Sequence, residues 1–340
     1  MSFKIKNRFI SENKRPYIIA EMSNNHLGSV KIAKQIILAA KEAGASAIKL
    51  QTFHPDDITL DVNDRRFEIK NSLWKNQNYY QLYKKIFMPM SKQKNLFFYA
   101  KKIGITIFSS PLSSVNVDFL EEIGVPAYKI PSFEANDFNL LSRCIKTNKP
   151  IIISTGTSDK NEINEIVNFI KKKNYIKKTA LLHCCSKYPS NTSDLNISFI
   201  KYLKNKYPIQ IGFSDHSNSS LGATCAIANG ASIIEKHITL SKKNRGPDYK
   251  FSTSKSNFKS YVDICNEAWI AMGINARRKI YNKEFKRSLF AIRNIKKGNK
   301  FSKNNIGSYR PNIGLNSKFF FDLMGKKSNK NYKFGDPIIR

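Results

Sequence analysis

The sequence of 340 residues has little that would mark a secreted or membrane-spanning protein. Its five cysteines are odd in number and form no C-x-x-C pair, so neither a disulfide framework nor a zinc ribbon is predicted. No stretch approaches the roughly 18 consecutive apolar residues that a spanning helix needs. The polar start MSFKIKN contains no apolar signal-peptide region. We therefore predict a cytoplasmic protein with reduced thiols and no membrane insertion.

Acidic residues are scarce, since 25 aspartates and glutamates face 58 lysines and arginines, a net charge of +33. A surface that binds nucleic acid or an anionic membrane is therefore one alternative. The lysines are dispersed, however, and lysine, asparagine and isoleucine are abundant together, which is the mixture that AT-rich codons produce. The short basic runs also lack the interleaved aromatics that stack on bases. We expect no nucleic-acid partner, although this charge would attract an anionic substrate.

What the sequence does contain is a regular alternation of short apolar runs with helical patterns. Hydrophobic residues make up 41%, which excludes disorder as the dominant state. Continuous apolar runs separated by amphipathic helices are typical of parallel strands covered on both faces. Eight such units predict an α/β fold, the (β/α)8 or TIM barrel; the alternative, an open doubly wound sheet, lacks a G-x-G-x-x-G after its first strand. The predicted strands are Tyr17–Ser23, Ala47–Thr52, Thr106–Ser110, Ala127–Ser132, Pro150–Thr155, Thr179–Cys184, Ile209–Asp215 and Ser232–Thr239.

An insertion interrupts the alternation between the second and third predicted strands. It covers roughly residues 54–89 and contains Trp74 and the tyrosine-rich segment Tyr79–Tyr83. On a barrel, this loop predicts a lid over the active face. The alternative is a packing excursion on the rim.

The pattern changes again after Gly273, where the sequence becomes polar and basic. The remaining apolar pieces are short and are punctuated by glycine and proline. We therefore predict a barrel domain of residues 1–274, a linker of residues 275–286, and a small irregular or β-rich domain of residues 287–340.

Two lysines lie in the middle of apolar strands, Lys49 in the second and Lys129 in the fourth. A buried lysine is costly without an anionic partner, so the pair predicts a phosphate or carboxylate ligand at the carboxyl ends of the strands. The alternative is that each lysine pairs with a core carboxylate such as Glu21 or Glu134. Four strand-end hydroxyls would complete the anion site: Ser110, Ser132, Ser154 and Ser214.

Two histidines, His216 and His237, end neighbouring predicted strands. This arrangement suits a divalent metal held by two imidazoles, with Glu21 as a possible third ligand and positions left open for substrate. The alternative is acid–base work or ordinary hydrogen bonding. Glu235 shares a strand face with His237 by the period of two, and His26 is a further candidate for substrate contact. These patterns predict an anion site beside a possible metal, but no reaction.

Eight strand-end stretches, in order across residues 17–252, resemble the sialic acid synthase family. They are IIAEMSNNHLGS, AIKLQT, FSSP, YKIPSFE, IIISTG, GFSDHS, IIEKHITL and GPDYKFS. The tail, with RSLFAIRNIKKG and IGSYRPNIGL, resembles that family's C-terminal antifreeze-like (SAF) domain. The resemblance implies an enzyme that condenses phosphoenolpyruvate with an N-acylated amino sugar in its open aldehyde form. The products would be phosphate and a nine-carbon ulosonic acid.

Within that family, the stretch NSLWKNQNYYQLYKKIFMP resembles the LW…LYxLYK segment of the pseudaminate-forming branch, as does the ending of GPDYKFS. This implies a 2,4-diacetamido-2,4,6-trideoxy-hexose as acceptor. The alternative within enzymes is an N-acetylneuraminate or legionaminate synthase that uses an N-acetylmannosamine-type sugar. The alternative of another class is a nucleic-acid or membrane-surface binder with an inactive barrel. The chain departs from the branch at AEMSNNHLGS and at CCSKYPSNTSD, near the sixth strand.

The resemblance also implies roles for particular residues. The two histidines would hold Mn²⁺ or Mg²⁺, and the two lysines and four serines would hold phosphoenolpyruvate. Arg310 would reach the acyl group of the sugar from the C-terminal domain, which caps the partner's barrel in a domain-swapped homodimer. The catalytic candidates are Glu21, Lys49, Lys129, Glu134, His216 and His237; the further substrate-binding candidates are Asn25, His26, Gln51, Ser110, Ser132, Ser154, Tyr188, Ser214, Asp248 and Arg310.

Overall fold

The computed structural model of the chain describes residues 3–70, 74–243, 246–273 and 280–339. The chain divides into two compact units, Met1–Ile274 and Asn275–Arg340. Part of the predicted linker, residues 275–279, lies outside the described residues, as do residues 71–73 of the insertion. Further along the predicted linker, Lys283–Phe285 form a single 3-10 turn.

The first unit is a closed barrel of eight parallel strands, each paired with the next along the chain. The last barrel strand pairs with both its predecessor and the first, which closes the sheet. The predicted (β/α)8 barrel is therefore confirmed. The strands of the unit are β1 (Phe3–Ile5), β2 (Arg8–Ile10), β3 (Tyr17–Glu21), β4 (Ala47–Thr52), β5 (Thr106–Pro111), β6 (Tyr128–Ile130), β7 (Ile151–Ser154), β8 (Thr179–Cys184), β9 (Gln210–Asp215), β10 (Ile233–Thr239) and β11 (Thr253–Ser254), of which β3–β10 form the barrel.

Helices other than the one in the insertion cover the outside of the barrel and pack apolar side chains against it. The first helix begins after Ser29, whose side chain accepts a hydrogen bond from the Ile32 amide, and ends before Gly44, where φ is positive. In the described ranges, no helix is both long and apolar enough to cross a membrane. The helices are α1 (Val30–Glu42), α2 (Tyr79–Ile86), α3 (Met90–Ile103), α4 (Ser114–Glu122), α5 (Phe138–Lys146), α6 (Lys160–Lys172), α7 (Ser198–Lys206), α8 (Leu221–Ala228) and α9 (Lys255–Ala271).

The amino end of the barrel is filled by apolar side chains. The antiparallel hairpin β1–β2 contributes Phe3, Ile5 and Ile10 to the same buried cluster as Tyr17 and Ile152 of the barrel strands. The sequence did not predict this hairpin, because its three-residue strands are too short to establish a period. It adds apolar contacts to the interior residues at the amino ends of the strands.

The second unit is small, and its described residues, 280–339, are mostly irregular. They include two short antiparallel strands, β12 (Ser288–Ala291) and β13 (Ile306–Tyr309), followed by the short helix α10 (Phe320–Leu323). A separate core supports it, made by Leu289, Ala291, Ile295, Phe301, Ile306, Tyr332 and Ile338.

Candidate functional site

The polar strand-end residues meet in one cavity because side chains alternate across each barrel strand. On β3, Ile19 points into the apolar interior and Glu21, two residues on, points into the cavity. On β10, Ile233 and Glu235 repeat this step from apolar to ionisable. The cavity at the carboxyl ends of the strands has a volume of about 680 Å³. It therefore lies where a barrel enzyme has its active site.

Four buried ionisable groups form a cluster at the bottom of this cavity. The Lys49 Nζ lies 2.8 Å from Glu21 Oε2 and 3.7 Å from Glu235 Oε1. The Lys129 Nζ lies 3.7 Å from the same Glu235 oxygen, which also accepts a hydrogen bond from Ser214 Oγ at 3.2 Å. Each of the four charged residues is at most 3% exposed. In this structure, then, Lys49 does pair with Glu21, as the alternative interpretation of the buried lysines holds.

The two carboxylates of this cluster differ in their pKa. Burial raises the pKa of Glu21 to about 7, although Lys49 opposes the shift. Burial acts on Glu235 in the same direction, but Lys129 and Lys49 outweigh it and hold the pKa of that carboxyl below its usual range. At neutral pH, Glu235 is therefore an anion between two lysines, whereas Glu21 exchanges a proton readily. Carboxylates whose environments separate their pKa values in this way are suited to different chemical roles.

Hydroxyl groups surround the ion cluster. Lys49 Nζ donates to Ser110 Oγ at 3.2 Å, and the amide of Gly156 donates to Ser132 Oγ at 3.0 Å. Within the described part of the chain, the buried hydroxyls of Ser154 and Ser186 have no hydrogen-bond partner of normal geometry. Buried polar atoms are rarely left unsatisfied, so a polar ligand is expected to complete them.

Ser186 was not predicted as a site residue. A Cβ at position 156 would lie 2.5 Å from both Ser186 Oγ and Cys184 Sγ, so only glycine fits against these two side chains. The strand period of two gave no signal for Ser186, because β8 ends at Cys184. Ser186 lies in the loop whose sequence departs from the family pattern.

The rings of His216 and His237 lie with centroids 5.5 Å apart. The His216 Nδ1 is 2.8 Å from the carbonyl oxygen of Cys185, so Nδ1 donates and Nε2 keeps its lone pair. The buried Nδ1 of His237 has no partner in the described residues. Burial lowers the pKa of His216 to about 4 and that of His237 well below its usual value. Both rings are therefore neutral at neutral pH, the form that binds metals.

This pair is an incomplete donor set for a metal. Within residues 3–70, 74–243, 246–273 and 280–339, no group of three or more histidine, cysteine, aspartate or glutamate side chains could hold a metal ion. The expectation that Glu21 supplies a third ligand is not met, because its carboxylate lies against Lys49. Two neutral imidazoles, one with an unpartnered buried nitrogen, fit a divalent ion whose remaining positions are taken by substrate or water.

The insertion forms the outer wall of the cavity. Residues of α2 and of the loop before it line the same cavity as the strand-end residues, in agreement with the predicted lid. Tyr83 packs edge to face on Phe53, with ring centroids 5.8 Å apart, and Leu82 is buried. This wall is mostly apolar: Ile58, Phe67, Ile69, Trp74, Tyr79, Leu82, Tyr83 and Ile86.

Four further predicted residues also line the cavity. The ring centroids of Tyr188 and His216 lie 4.4 Å apart, and Gln51 Nε2 donates to Glu21 Oε1 at 3.3 Å. Asp248 accepts a hydrogen bond from the Asn24 amide at 3.4 Å, and burial raises its pKa. The fourth is Glu134, whose Oε2 is buried and lacks a partner in the described residues; burial raises its pKa to about 7.

Three predicted residues lie elsewhere. The side-chain Nδ2 of Asn25 donates to the carbonyl of Ile238 at 2.9 Å, and the Nδ1 of His26 accepts from the backbone amide of Gly28 at 2.9 Å. Both side chains therefore support the loop after β3, and neither lines the cavity. Arg310 belongs to the second unit, where its Nε donates to the carbonyl of Phe285 at 2.6 Å.

Glu235 and Phe251 are among the cavity residues to which the sequence assigned no role. Glu235 shares a strand face with His237, but its contacts with both lysines depend on strands far away in sequence. Phe251 packs against the rings of His237 and Tyr188, with centroids 4.8 and 5.1 Å apart. It closes the apolar side of the histidine pair.

The chain is similar to known proteins over most of its length. The model of the NeuB family matches residues 36–277. A pseudaminic acid synthase of Campylobacter jejuni subsp. jejuni serotype O:2 is 41% identical over 96% of this chain and 96% of its own, and one of Helicobacter pylori is 38% identical over 95% and 96%. The crystal structure of an N-acetylneuraminic acid synthetase from Leptospira borgpetersenii serovar Hardjo-bovis in complex with citrate aligns with a TM-score of 0.74 at 30% identity, covering 83% of this chain and 93% of that one. The chain belongs to the NeuB family.

Proposed function

We propose that the protein is a pseudaminic acid synthase. It condenses phosphoenolpyruvate with 2,4-diacetamido-2,4,6-trideoxy-β-L-altropyranose and water to give pseudaminate and phosphate. The observation that carries this proposal is the buried cluster of two lysines and two glutamates, which shares one cavity with a pair of neutral histidines. The similarity to pseudaminic acid synthases over nearly the whole chain supports the choice of branch.

Phosphoenolpyruvate binds at the lysine cluster. Lys49 and Lys129 supply the positive charge, and the hydroxyls of Ser110, Ser132, Ser154 and Ser214 supply donors to the phosphate or carboxylate oxygens. Hydrogen bonds between charged partners contribute more than neutral ones, so this part of the cavity favours a small polyanion. When the substrate anion arrives, it takes over contacts that Lys49 makes with Glu21 in the free protein.

Protons must move at three points of the reaction. C3 of phosphoenolpyruvate forms a bond to the aldehyde carbon, whose oxygen gains a proton, and water that adds at C2 loses one. Cleavage of the C–O bond then releases phosphate, while the C2 hydroxyl gives up its proton to form the ketone. Glu21 and Glu134 both have a pKa of about 7, so each holds or releases a proton near neutral pH. Glu235, which keeps its charge, holds the two lysines in position instead.

A divalent ion, Mn²⁺ or Mg²⁺, would be held by His216 and His237. Such an ion supplies Lewis-acid polarisation of a carbonyl oxygen. The Cys185 carbonyl fixes the tautomer of His216, and the ring of Phe251 packs on His237. Both contacts orient the imidazoles, as partners of metal-ligating histidines generally do.

The wall formed by the insertion supports a deoxy sugar as acceptor. A 2,4-diacetamido-2,4,6-trideoxy-hexose presents three methyl groups, at C6 and on the two acetyl groups. Leu82, Ile69 and Phe67 offer apolar surface for them. A second candidate is a neuraminate-type synthase, which the similarity to the Leptospira synthetase favours. Its sugar would place the C6 hydroxyl against this apolar surface.

The test is phosphate release from phosphoenolpyruvate and Mn²⁺ with each sugar separately, with the product identified by its mass. Release only with the trideoxy diacetamido sugar is the predicted result. Release only with N-acetylmannosamine would move the assignment to a neuraminate-type synthase. Release with neither sugar, in folded and metal-loaded protein, would contradict the proposal. If such protein instead bound nucleic acid or anionic vesicles in a salt-sensitive way, the binder alternative would be supported.

We also infer that the second unit is an antifreeze-like (SAF) domain that caps the barrel of a partner subunit in a homodimer, with Arg310 reaching the sugar. Mixed dimers of Arg310→Ala and His237→Ala test this arrangement. Exchange between two inactive variants regains about a quarter of the wild-type activity if the cap acts on the partner's barrel, because half of the dimers then hold one intact site. No recovery, with subunit exchange verified, would contradict a domain-swapped dimer.

A further inference from the structure

A second buried ion pair lies behind the histidine pair, on the outward faces of the same two strands. The Lys236 Nζ lies 3.1 Å from Asp215 Oδ2, and the two side chains are 1% and 0% exposed. In the register of β9 and β10, these residues are direct neighbours. Because side chains alternate, Lys236 points away from the cavity while His237, the next residue, points into it. Asp215 likewise precedes His216.

The carboxylate of Asp215 accepts four hydrogen bonds. Its Oδ1 accepts from the amide and hydroxyl of Ser217 at 2.9 and 2.7 Å. Its Oδ2 accepts from the hydroxyl of Tyr261 on α9 at 2.8 Å, as well as from Lys236. The Lys236 ammonium also donates to the carbonyl of Ser217 and lies 5.3 Å from the centre of the Tyr261 ring. The network joins two strands, the loop after β9, and a helix.

The network holds the backbone on both sides of His216. Ser217 is bound by Asp215 and Lys236, so the residues before and after the histidine are both fixed. The carbonyl of His216 itself accepts from the Ser190 amide at 3.1 Å. His237 is fixed through Lys236, its neighbour in the chain. One buried pair therefore fixes the strand positions from which both imidazoles project.

We infer that Asp215, Lys236 and Tyr261 are positioning residues that set the separation of the two imidazoles. A buried ion pair is weak evidence for stability, because well-packed apolar side chains stabilise a protein as well or better. What the ion pair adds is a fixed geometry that an apolar contact between the same strands would not impose. The inference rests on the proposed role of His216 and His237 as metal ligands.

The test compares two tyrosines that each lose only a hydroxyl. Tyr261→Phe removes the donor to Asp215, whereas Tyr175→Phe removes a donor to the Lys149 carbonyl at 2.8 Å, away from the cavity. The two side chains are 5% and 6% exposed, so they are matched in burial. Binding of Mn²⁺ to the full chain is measured by electron paramagnetic resonance without substrates, and phosphoenolpyruvate binding and Tm are measured in parallel.

We expect Tyr261→Phe to weaken Mn²⁺ binding by about tenfold, in the range found for outer partners of metal ligands. Tyr175→Phe is expected to change only Tm, and both variants bind phosphoenolpyruvate as the wild type does. Asp215→Asn, which keeps the size of the side chain, is expected to weaken Mn²⁺ binding further. Because Tyr261→Phe is the milder change, the test does not depend on whether Asp215→Asn folds.

Three results would overturn the inference: the first leaves the proposed metal ligands in place, and the other two reject them. Unchanged Mn²⁺ affinity in Tyr261→Phe with a lowered Tm would assign the network to stability alone. Failure of the folded wild-type protein to bind Mn²⁺, or unchanged binding in His237→Ala, would reject the proposed metal ligands and the inference with them.

Discussion

The two ends of the barrel are built from the same strands and have opposite character. On β3, Ile19 belongs to the apolar cluster at the amino end, and Glu21, two residues on, belongs to the ion cluster; on β7, Ile152 and Ser154 repeat the contrast. Burying an aliphatic side chain stabilises a fold by about 1.5–3 kcal/mol, whereas burying an ion costs several. The apolar end thus offsets the cost of the charged end. The comparison predicts that the two ends can be impaired separately.

The largest expected effect is at the carboxyl end, in His237→Ala. Loss of one imidazole should remove metal binding and lower kcat/KM by about 10³-fold or more, since a Lewis acid contributes several kcal/mol. Tm should change little, because the His237 ring lines the cavity and is not part of the apolar cluster at the amino end. His183→Ala is the control, since that buried histidine bonds to the Leu195 carbonyl and lies outside the cavity. Turnover retained in His237→Ala would remove its assignment as a ligand.

The next effect is at the amino end, in Ile152→Ala. This change leaves a void in the apolar cluster and should lower the free energy of unfolding by about 2–5 kcal/mol, measured by urea denaturation. At a temperature where the variant is folded, kcat/KM should stay at the wild-type value. Ile152→Val, which removes a single methylene, should cost about 1 kcal/mol. A folded Ile152→Ala protein without turnover would show that the two ends are not separable.

A smaller effect links the charged end to stability through pH. Burial raises the pKa of Glu134 from 4.5 to about 7, so between these values the folded protein binds more protons than the unfolded chain. Stability is then greatest at low pH and is lost as the pH rises towards 7, by up to ~3 kcal/mol from this group.

Glu134→Gln should remove that loss. Urea denaturation of ligand-free wild type and variant across pH 5–8 measures the difference between the two curves, which cancels the contributions of other groups. The variant should gain stability relative to the wild type as the pH rises. Parallel curves would mean that Glu134 has an ordinary pKa and is not buried as described.

The smallest effect concerns the wall formed by the insertion. Leu82→Asn places an amide of similar size against the acceptor and should lower kcat/KM for the trideoxy diacetamido sugar by about tenfold. The KM for phosphoenolpyruvate should not change. Leu60→Asn is the control, since Leu60 lies in the same insertion and is 62% exposed. Equal effects on both substrates would show that this wall does not contact the sugar.

The contrast between the two ends also shows what the sequence could predict. Local patterns were sufficient for the eight strands, because short continuous apolar runs between amphipathic helices are typical of buried parallel strands. They were sufficient for His216 and His237 as well, because strand ends converge in a barrel. The partners of Glu235 were not predictable, because Lys49 and Lys129 reach it across the barrel. Sequence periodicity identifies the face on which a side chain lies, but not which distant side chain it meets.

The network of Asp215, Lys236 and Tyr261 shows the same limit of sequence analysis. The sequence did not predict that Asp215 and Lys236 pair, because each is simply a polar residue next to a histidine. Tyr261 lies 46 residues beyond Asp215, on a helix whose apolar spacing gives no hint of a hydroxyl contact. Only the register of β9 and β10 brings these groups together.

The most direct test of the proposed substrate site is the binding of phosphoenolpyruvate to Lys49→Met, measured by calorimetry beside the wild type and Ile152→Ala. In the free protein, Lys49 pairs with Glu21, and we propose that it binds the substrate as well. We predict that Lys49→Met binds phosphoenolpyruvate at least ~100-fold more weakly, because a charged hydrogen bond to the substrate is lost, and that Ile152→Ala binds it normally. Undiminished binding by folded Lys49→Met would mean that the lysine contacts only its buried carboxylates, and would contradict the proposed function.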